Sequence, residues 1–269
     1  MEKLCFSDLH VHTNLSLCAP KDTTVASFLP LCEQDGTRIL GISNHLYAPK
    51  RLSCTYPENL TFALKIKEEV AALTPQTSVK ILIGCEVETF YGQPPGLNRE
   101  DAATFDYLLL AASHIFNFPG EYQHLDLTTP EKVKKLLIEQ FIRACLLEYD
   151  KPVGICHPLY PICCPFEQEV MDSFTDSEYE TCFSLAAERN VSIEIHACLT
   201  RGGTRLDESG LSPSYLHLLE VAKDCGCKFH FGSDAHAPGG FLEIHKKLEL
   251  AAKRLGITQE DLWEVATAL

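Results

Sequence analysis

Seven stretches of this chain that read as β-strands each end in a residue able to bind a metal ion. The ends are Asp8-Leu-His10-Val-His12, Asn44-His45, Cys85-Glu86, Ser113-His114, Cys156-His157, Glu194-Ile-His196 and Ser233-Asp234-Ala-His236. A strand carries its last residues to one edge of its sheet, so ligand types repeated in that phase converge on one place. Neutral imidazole and carboxylate are the donor set of catalytic zinc, manganese and iron sites. The chain has 11 His, and a single histidine serves many roles. Position within the repeat, not number, therefore carries the expectation of a polynuclear metal site.

Short, almost continuously apolar runs near 4 to 10, 38 to 43, 79 to 87, 106 to 113, 152 to 156, 191 to 195 and 228 to 233 predict strands buried on both faces. Helical patterns over 24 to 34, 58 to 73, 130 to 149, 176 to 189 and 212 to 226 alternate with them, and closing helices are expected near 240 to 254 and 258 to 268. Thr129 is expected to cap one helix ahead of Pro130, and Thr258 to Asp261 reads as a variant capping box. Seven β-α units predict a parallel sheet closed into a barrel, with the chemistry on the loops after the strands. The expected fold class is α/β, a single TIM-like barrel domain over residues 1–269. Loops 115 to 129, 158 to 175 and 197 to 211 are long and rich in aromatic, proline or glycine residues, which suits the walls of a substrate site.

Composition narrows the setting. No run approaches the roughly 18 apolar residues of a membrane-spanning helix, and the N-terminus lacks the pattern of a signal peptide. A soluble, cytoplasmic protein is expected. The 13 cysteines are odd in number, and Cys5, Cys85, Cys156, Cys198 and Cys227 lie in or beside apolar strands, as reduced core thiols do. Cys163-Cys164 and Cys225-Gly-Cys227 read as packing or loop thiols, since no second pair stands at zinc-ribbon spacing. A formal net charge of −14 argues against nucleic acid as partner. It leaves room for a small phosphorylated substrate, because bound cations reverse the local field.

The ordered set Asp8-Leu-His10-Val-His12-Thr13, Gly41-Ile-Ser-Asn-His45, Gly84-Cys-Glu86-Val-Glu88, Ser113-His114, His157-Pro158, Ile193-Glu194-Ile195 and Gly232-Ser-Asp234-Ala-His236 resembles the PHP (polymerase and histidinol phosphatase) superfamily. The match runs from residue 8 to 236 in the family's order. The resemblance implies a distorted (β/α)7 barrel and two or three divalent ions, Zn, Mn or Fe. It implies that His10, His12, Glu86 and Asp234 hold the first ion, and Glu86, His114 and His157 the second. The third would take His45, His236 and a residue shortly after the His-x-His pair, where the family usually has Asp or His and this chain offers Cys18. Thiolate ligation there would favour zinc or iron.

The activity implied is a metal-dependent phosphoesterase that attacks a small phosphorylated metabolite, histidinol phosphate among the candidates, with a hydroxide bridging two cations. Glu86, Asp234 and Asp8 would be catalytic, Asp8 by orienting a ligand histidine. Arg201, with Arg205 behind it, would clamp the phosphate with its planar fork, and His196 would meet the substrate where the family often has Asn. The loop after His157 lacks the basic residue expected to grip histidinol phosphate. Glu88 and Glu194 are expected beside the ligands, and His124, His217, His230 and His245 in structural or surface roles. The alternatives are a nuclease acting on nucleotides or single-stranded DNA, a non-catalytic metal-bound module, and an amide or lactone hydrolase. No basic stripe or polymerase segment supports the nuclease.

Overall fold

A computed structural model describes the backbone of residues 4, 7–47, 56–117, 119–200 and 203–268. Its strands are β1 Ser7–Val11, β2 Ile39–Ile42, β3 His45–Leu46, β4 Lys80–Glu88, β5 Tyr107–Ala111, β6 Val153–Cys156, β7 Ser192–His196 and β8 Phe229–Gly232. Helices α1 Val25–Asp35, α2 Tyr56–Ala63, α3 Ile66–Leu73, α4 Pro119–Tyr122, α5 Pro130–Cys145, α6 Glu167–Asp172, α7 Asp176–Glu188, α8 Pro213–Asp224, α9 Phe241–Arg254 and α10 Glu264–Thr267 lie between and after them. All the strand pairs are parallel and run in the order β1-β2-β4-β5-β6-β7-β8, with β3 paired to β4. The ring comes close to closure where Asp234 N–H donates to His10 O (2.8 Å) and His12 N–H to Ala235 O (2.9 Å). This is the TIM-like α/β barrel that the β-α repeat predicts. Among the described residues no helix is long and apolar enough to cross a membrane.

Alternation along the strands divides side chains between lumen and outer layer. Tyr107, Leu109 and Ala111 of β5 join the lumen cluster, whereas Leu108 and Leu110 pack outward under the helices. On β7 the outward residues are Ile193 and Ile195, which leaves Ser192, Glu194 and His196 to face inward. A register shift between Asp8 and Val11 interrupts β1, and such irregularities re-aim side chains. Leu9 then packs in the lumen while His10 also turns in against Gly232.

The lumen is too crowded for a Cβ at several strand positions. At Gly84 a Cβ would stand 2.6 Å from Tyr107 Cε2, and at Gly232 it would stand 2.8 Å from His10 Cβ and collide with the Glu194 carboxylate. These glycines make room for the large groups that fill the barrel. Tyr107 crosses the lumen to donate to Leu9 O (2.5 Å) and meets Ser43 Oγ at 2.8 Å.

Three elements depart from the sequence pattern. The second strand breaks after Ile42, because Ser43 N–H and Oγ–H turn to Val11 O (2.9 Å) and Leu9 O (2.6 Å); His45 then resumes pairing as β3. The helix expected over 58 to 73 is divided at Leu64–Lys65, where i to i−3 bonds such as Lys65 N–H to Phe62 O (3.2 Å) replace the α ladder. The closing helix near 258 to 268 is interrupted at Leu262–Trp263, which are extended between a 3-10 turn at Gln259–Asp261 and α10: Trp263 N–H donates to Phe229 O (2.8 Å) and the indole is fully buried in the lumen, edge-on to Tyr107. Burying that ring outweighs local helix propensity. The Thr258 capping box forms as expected, whereas Thr129 makes no side-chain cap bond.

Trp263 seals the lumen from below, so its removal should leave a large void. Trp263→Ala is expected to lower stability by about 3–5 kcal/mol, read from urea unfolding followed by circular dichroism; a loss under about 1 kcal/mol would mean the lumen can collapse around the gap.

Candidate metal centre

The barrel gathers the predicted ligands at the C-terminal ends of its strands. His10 and His12 come from the end of β1, His45 from β3, Glu86 and Glu88 from β4, His114 from the turn after β5, His157 from the turn after β6, and Asp234 and His236 from the turn after β8. Two of these take left-handed backbone conformations, His157 at φ 36° and Asp234 at φ 53°. Such conformations cost of order 1–3 kcal/mol each for a non-glycine residue and cluster at functional sites. Gln140 of α5 donates to Ala112 O (2.9 Å), tying the helix to the strand end that presents His114.

Glu86, buried and on the lumen side, is the centre of the arrangement. Its Oε2 lies 3.4 Å from His10 Nε2, 3.3 Å from His12 Nε2 and 3.0 Å from His45 Nδ1. Its Oε1 lies 3.0 Å from His157 Nε2 and 3.7 Å from His114 Nε2. Asp234 Oδ1 approaches His12 Nε2 at 3.2 Å and His10 Nε2 at 3.6 Å. Ligand atoms of His10, His12 and Asp234 fall within 4.8 Å of one another, as do those of His45, Glu86 and His114, and those of His12, Cys18, His45 and His236. The groups share members, so the site is one continuous cluster running from buried His10 and Glu86 to exposed Cys18.

The hydrogen bonds around the rings decide which nitrogen faces the cluster. His10 Nδ1–H donates to Glu194 Oε1 (2.8 Å) and His114 Nδ1–H to Glu88 Oε1 (3.0 Å). Ser16 gives its own proton to Asn44 Oδ1 (2.9 Å), so its oxygen accepts from His12 Nδ1–H at 3.1 Å. In its neutral form each of these rings therefore turns an Nε2 lone pair toward carboxylate oxygens that are themselves acceptors. His10 Nε2 and His12 Nε2 stand only 3.1 Å apart. Glu86 Oε2 and His45 Nδ1 lie 3.0 Å apart without meeting in good hydrogen-bond geometry. Lone pairs facing lone pairs in a buried cavity repel unless a proton or a metal cation lies between them, and imidazole with carboxylate is the donor set that holds a metal.

Electrostatics points the same way. Burial opposes charge on Glu86, but the fields of His45 and His10 outweigh it and hold the carboxyl well below its usual range. Burial likewise opposes charge on His10, yet Glu194 and Glu86 raise it well above the ordinary imidazole value. Burial, with His114 beside it, pushes His157 down to about 4. The cavity is a negative well that draws positive charge.

Each expected residue has a definite place. Cys18 stands beside His236 and His45; burial works against its thiolate, but hydrogen bonds from those two rings prevail and pull it down to about 5. His196 is fully buried, its Nε2 3.6 Å from Asp234 Oδ2. Asp8 does not reach a ligand ring: its carboxylate accepts from the backbone N–H of His10 (3.1 Å) and Ser233 (3.1 Å) and pairs with His245 Nε2 (2.9 Å). It orients the ligands of β1 and of the β8 turn through their backbones. Arg201 lies outside the described residues. Arg205 is exposed and paired with Asp172 Oδ2 (2.6 Å).

Sequence reasoning missed the supports. Ser113 Oγ meets His157 Nδ1, Asn44 Oδ1 accepts from Thr13 N–H (2.8 Å), and Cys156 Sγ donates to Glu86 Oε1 (3.5 Å). His230 is a lumen residue bonded to Ser192 Oγ (2.8 Å). The one available signal was that Ser113 and Cys156 directly precede ligand histidines.

Compared with solved structures, the chain is similar in fold to the histidinol phosphate phosphatase of Lactococcus lactis subsp. lactis, crystallised with zinc, L-histidinol and phosphate. The TM-score is 0.62 over 94% of each chain at 16% identity. Weaker likenesses are to an archaeal ribonuclease P bound to mature tRNA (TM-score 0.43, 11% identity, 92% of this chain and 89% of that one) and to N-isopropylammelide isopropylaminohydrolase from Burkholderia multivorans (0.41, 15%, 86% and 57%). No protein-family profile and no curated protein matches the sequence.

His245 on α9 supplies a pH test of the Asp8 anchor. Burial lowers its pKa, but Asp35 (2.7 Å) and Asp8 outweigh this and raise it. A raised folded-state pKa gives stability that is complete below the unfolded value of about 6.5 and is lost as pH climbs through the folded value. The stability gap between wild type and His245→Gln should therefore be wider near pH 6 than near pH 9; a gap that grows toward alkaline pH would contradict a charged His245.

Proposed function

We propose that this chain is a metal-dependent hydrolase of the PHP type that releases phosphate from a small phosphorylated metabolite. The observation that carries the reading is Glu86, whose two oxygens address two different sets of imidazoles. On this reading His10, His12, Glu86 and Asp234 hold one ion, Glu86, His114 and His157 a second, and His45, His236 and Cys18 a third. Zinc suits this mix of imidazole, carboxylate and thiolate, and manganese or iron suits the part without sulfur. Divalent cations so held would make a nucleophile from water near neutral pH and neutralise the phosphoryl oxygens.

The chain's own groups divide the remaining work. Glu194, Glu88 and Ser16 fix the ring orientations, a role that typically changes metal affinity or activity by 10–100-fold when lost. Asp8 holds the backbone of the two ligand stretches. His196 faces the substrate side, and Arg201 is the phosphate clamp. The fold likeness to a phosphatase crystallised with histidinol and phosphate supports a small phosphorylated substrate, with histidinol phosphate one member of the class to try. The described cysteines are free thiols, which accords with a reducing, cytoplasmic setting.

Metal-reconstituted protein should release phosphate from p-nitrophenyl phosphate or from a member of a panel of phosphorylated metabolites that includes histidinol phosphate, and leave labelled single-stranded DNA intact. His157→Ala should lower kcat by about a hundredfold or more; equal rates in the two proteins would reduce the activity to contamination. Separately, Cys18→Ala should lose about one metal equivalent by elemental analysis, and an unchanged stoichiometry would remove Cys18 from the ligand set.

A further inference from the structure

His196 has the opposite polarity to the rings around it. In His10, His12 and His114 the Nδ1–H is spent on a supporting oxygen and the Nε2 lone pair faces the cluster. In His196 the Nδ1 accepts a hydrogen bond from Cys198 N–H at 2.9 Å. A backbone amide can only donate, so the Nδ1 lone pair is taken and the ring's proton resides on Nε2. The donor amide is fixed by the tight turn Ala197–Thr200, which Ser212 N–H secures through Leu199 O (2.7 Å). The fully buried Cys198 side chain packs into the barrel's outer core.

A nitrogen bearing a proton donates and does not ligate. Nε2 of His196 is fully buried and has no hydrogen-bond partner among the described residues. Its nearest acceptors are Asp234 Oδ2 at 3.6 Å, close enough for the ring to help hold that carboxyl low, and Glu194 Oε2 at 3.8 Å, both longer than a well-formed hydrogen bond. The ring packs 5.7 Å from that of His10 and 5.3 Å from that of His157, one member of each ligand set that Glu86 joins. A buried donor left with only such long contacts is costly. What would satisfy it is an acceptor oxygen held between those two sets.

We propose that His196 donates its Nε2–H to an oxygen of the tetrahedral oxyanion, the phosphoryl group of substrate or product, and is not a metal ligand despite its place beside His10 and Glu194. The inference deepens the hydrolase reading and rests on it. His196 contacts substrate through a tautomer that the fold imposes, independent of any loop cation.

The test combines three readouts on metal-loaded protein. In 15N-imidazole NMR, with the His196 signal identified by its absence in His196→Gln, wild type should show Nδ1 unprotonated and Nε2 protonated. His196→Ala should keep the wild-type metal stoichiometry by elemental analysis. Inorganic phosphate, titrated by calorimetry, should bind His196→Ala about 10–100-fold more weakly than wild type, as for a lost hydrogen bond to a charged group. His196→Gln, which offers an amide N–H at similar reach, should recover part of that affinity.

A proton on Nδ1, a lost metal equivalent in His196→Ala, or unchanged phosphate affinity in the fully metallated variant would each overturn the donor role alone. Wild type that takes up neither metal nor phosphate would overturn the hydrolase reading, and the donor role with it.

Discussion

The carboxylate of Glu86 lies within 3.7 Å of imidazole nitrogens from His10, His12, His45, His114 and His157, and most other features of the molecule follow from holding it there. A carboxylate buried in a barrel is unfavourable unless it is paired. Here its partners come from four other strand ends. The site can be assembled only by a sheet that brings those ends together, and the sheet can tolerate Glu86 only because the site is assembled. Fold and site are one constraint seen from two sides.

That constraint propagates downward. Polar layers at the top of the lumen leave the apolar packing of the barrel to its lower part, where Leu9, Ile39, Tyr107, Leu109 and Trp263 interlock. The glycines facing Tyr107 and Glu194 are the other half of this division, since a Cβ at either level would strike a group the barrel cannot move. Cations bound only by the folded chain would add to its stability by mass action, so the cluster's contribution depends on what fills it.

How much of this was legible in the sequence follows from the range of the interactions involved. Strand ends were readable because a parallel strand is a local pattern and its ligand is the next residue: Glu86 closes an apolar run, and His114 and His157 follow one. Trp263 was not readable, because its burial depends on Phe229, far away in sequence, offering a backbone carbonyl. Asp8 looked like a partner for a ligand imidazole, but it pairs with that of His245 instead, because which atoms a carboxylate meets depends on where Ser233 and His245 are brought in space. Tautomers are still less visible, since nothing in the order of residues tells that Cys198 N–H turns back on His196.

The departures of this chain from the PHP pattern acquire a common sense on the proposed reading. The deep part of the cluster is imidazole and carboxylate, fully enclosed by Glu194, Glu88 and Ser16. The rim is different: His236 is 32% exposed where it stacks on buried His12 (4.3 Å), and Cys18 sits on the exposed turn after β1. A thiolate ligand there would make the rim softer than the depth, and an exposed, loop-borne ligand would release an ion more readily than a buried one. On that reading the two parts of one cluster would differ both in the cation they select and in how fast they exchange it, the buried ligands keeping their ions longer than the exposed rim at Cys18 and His236.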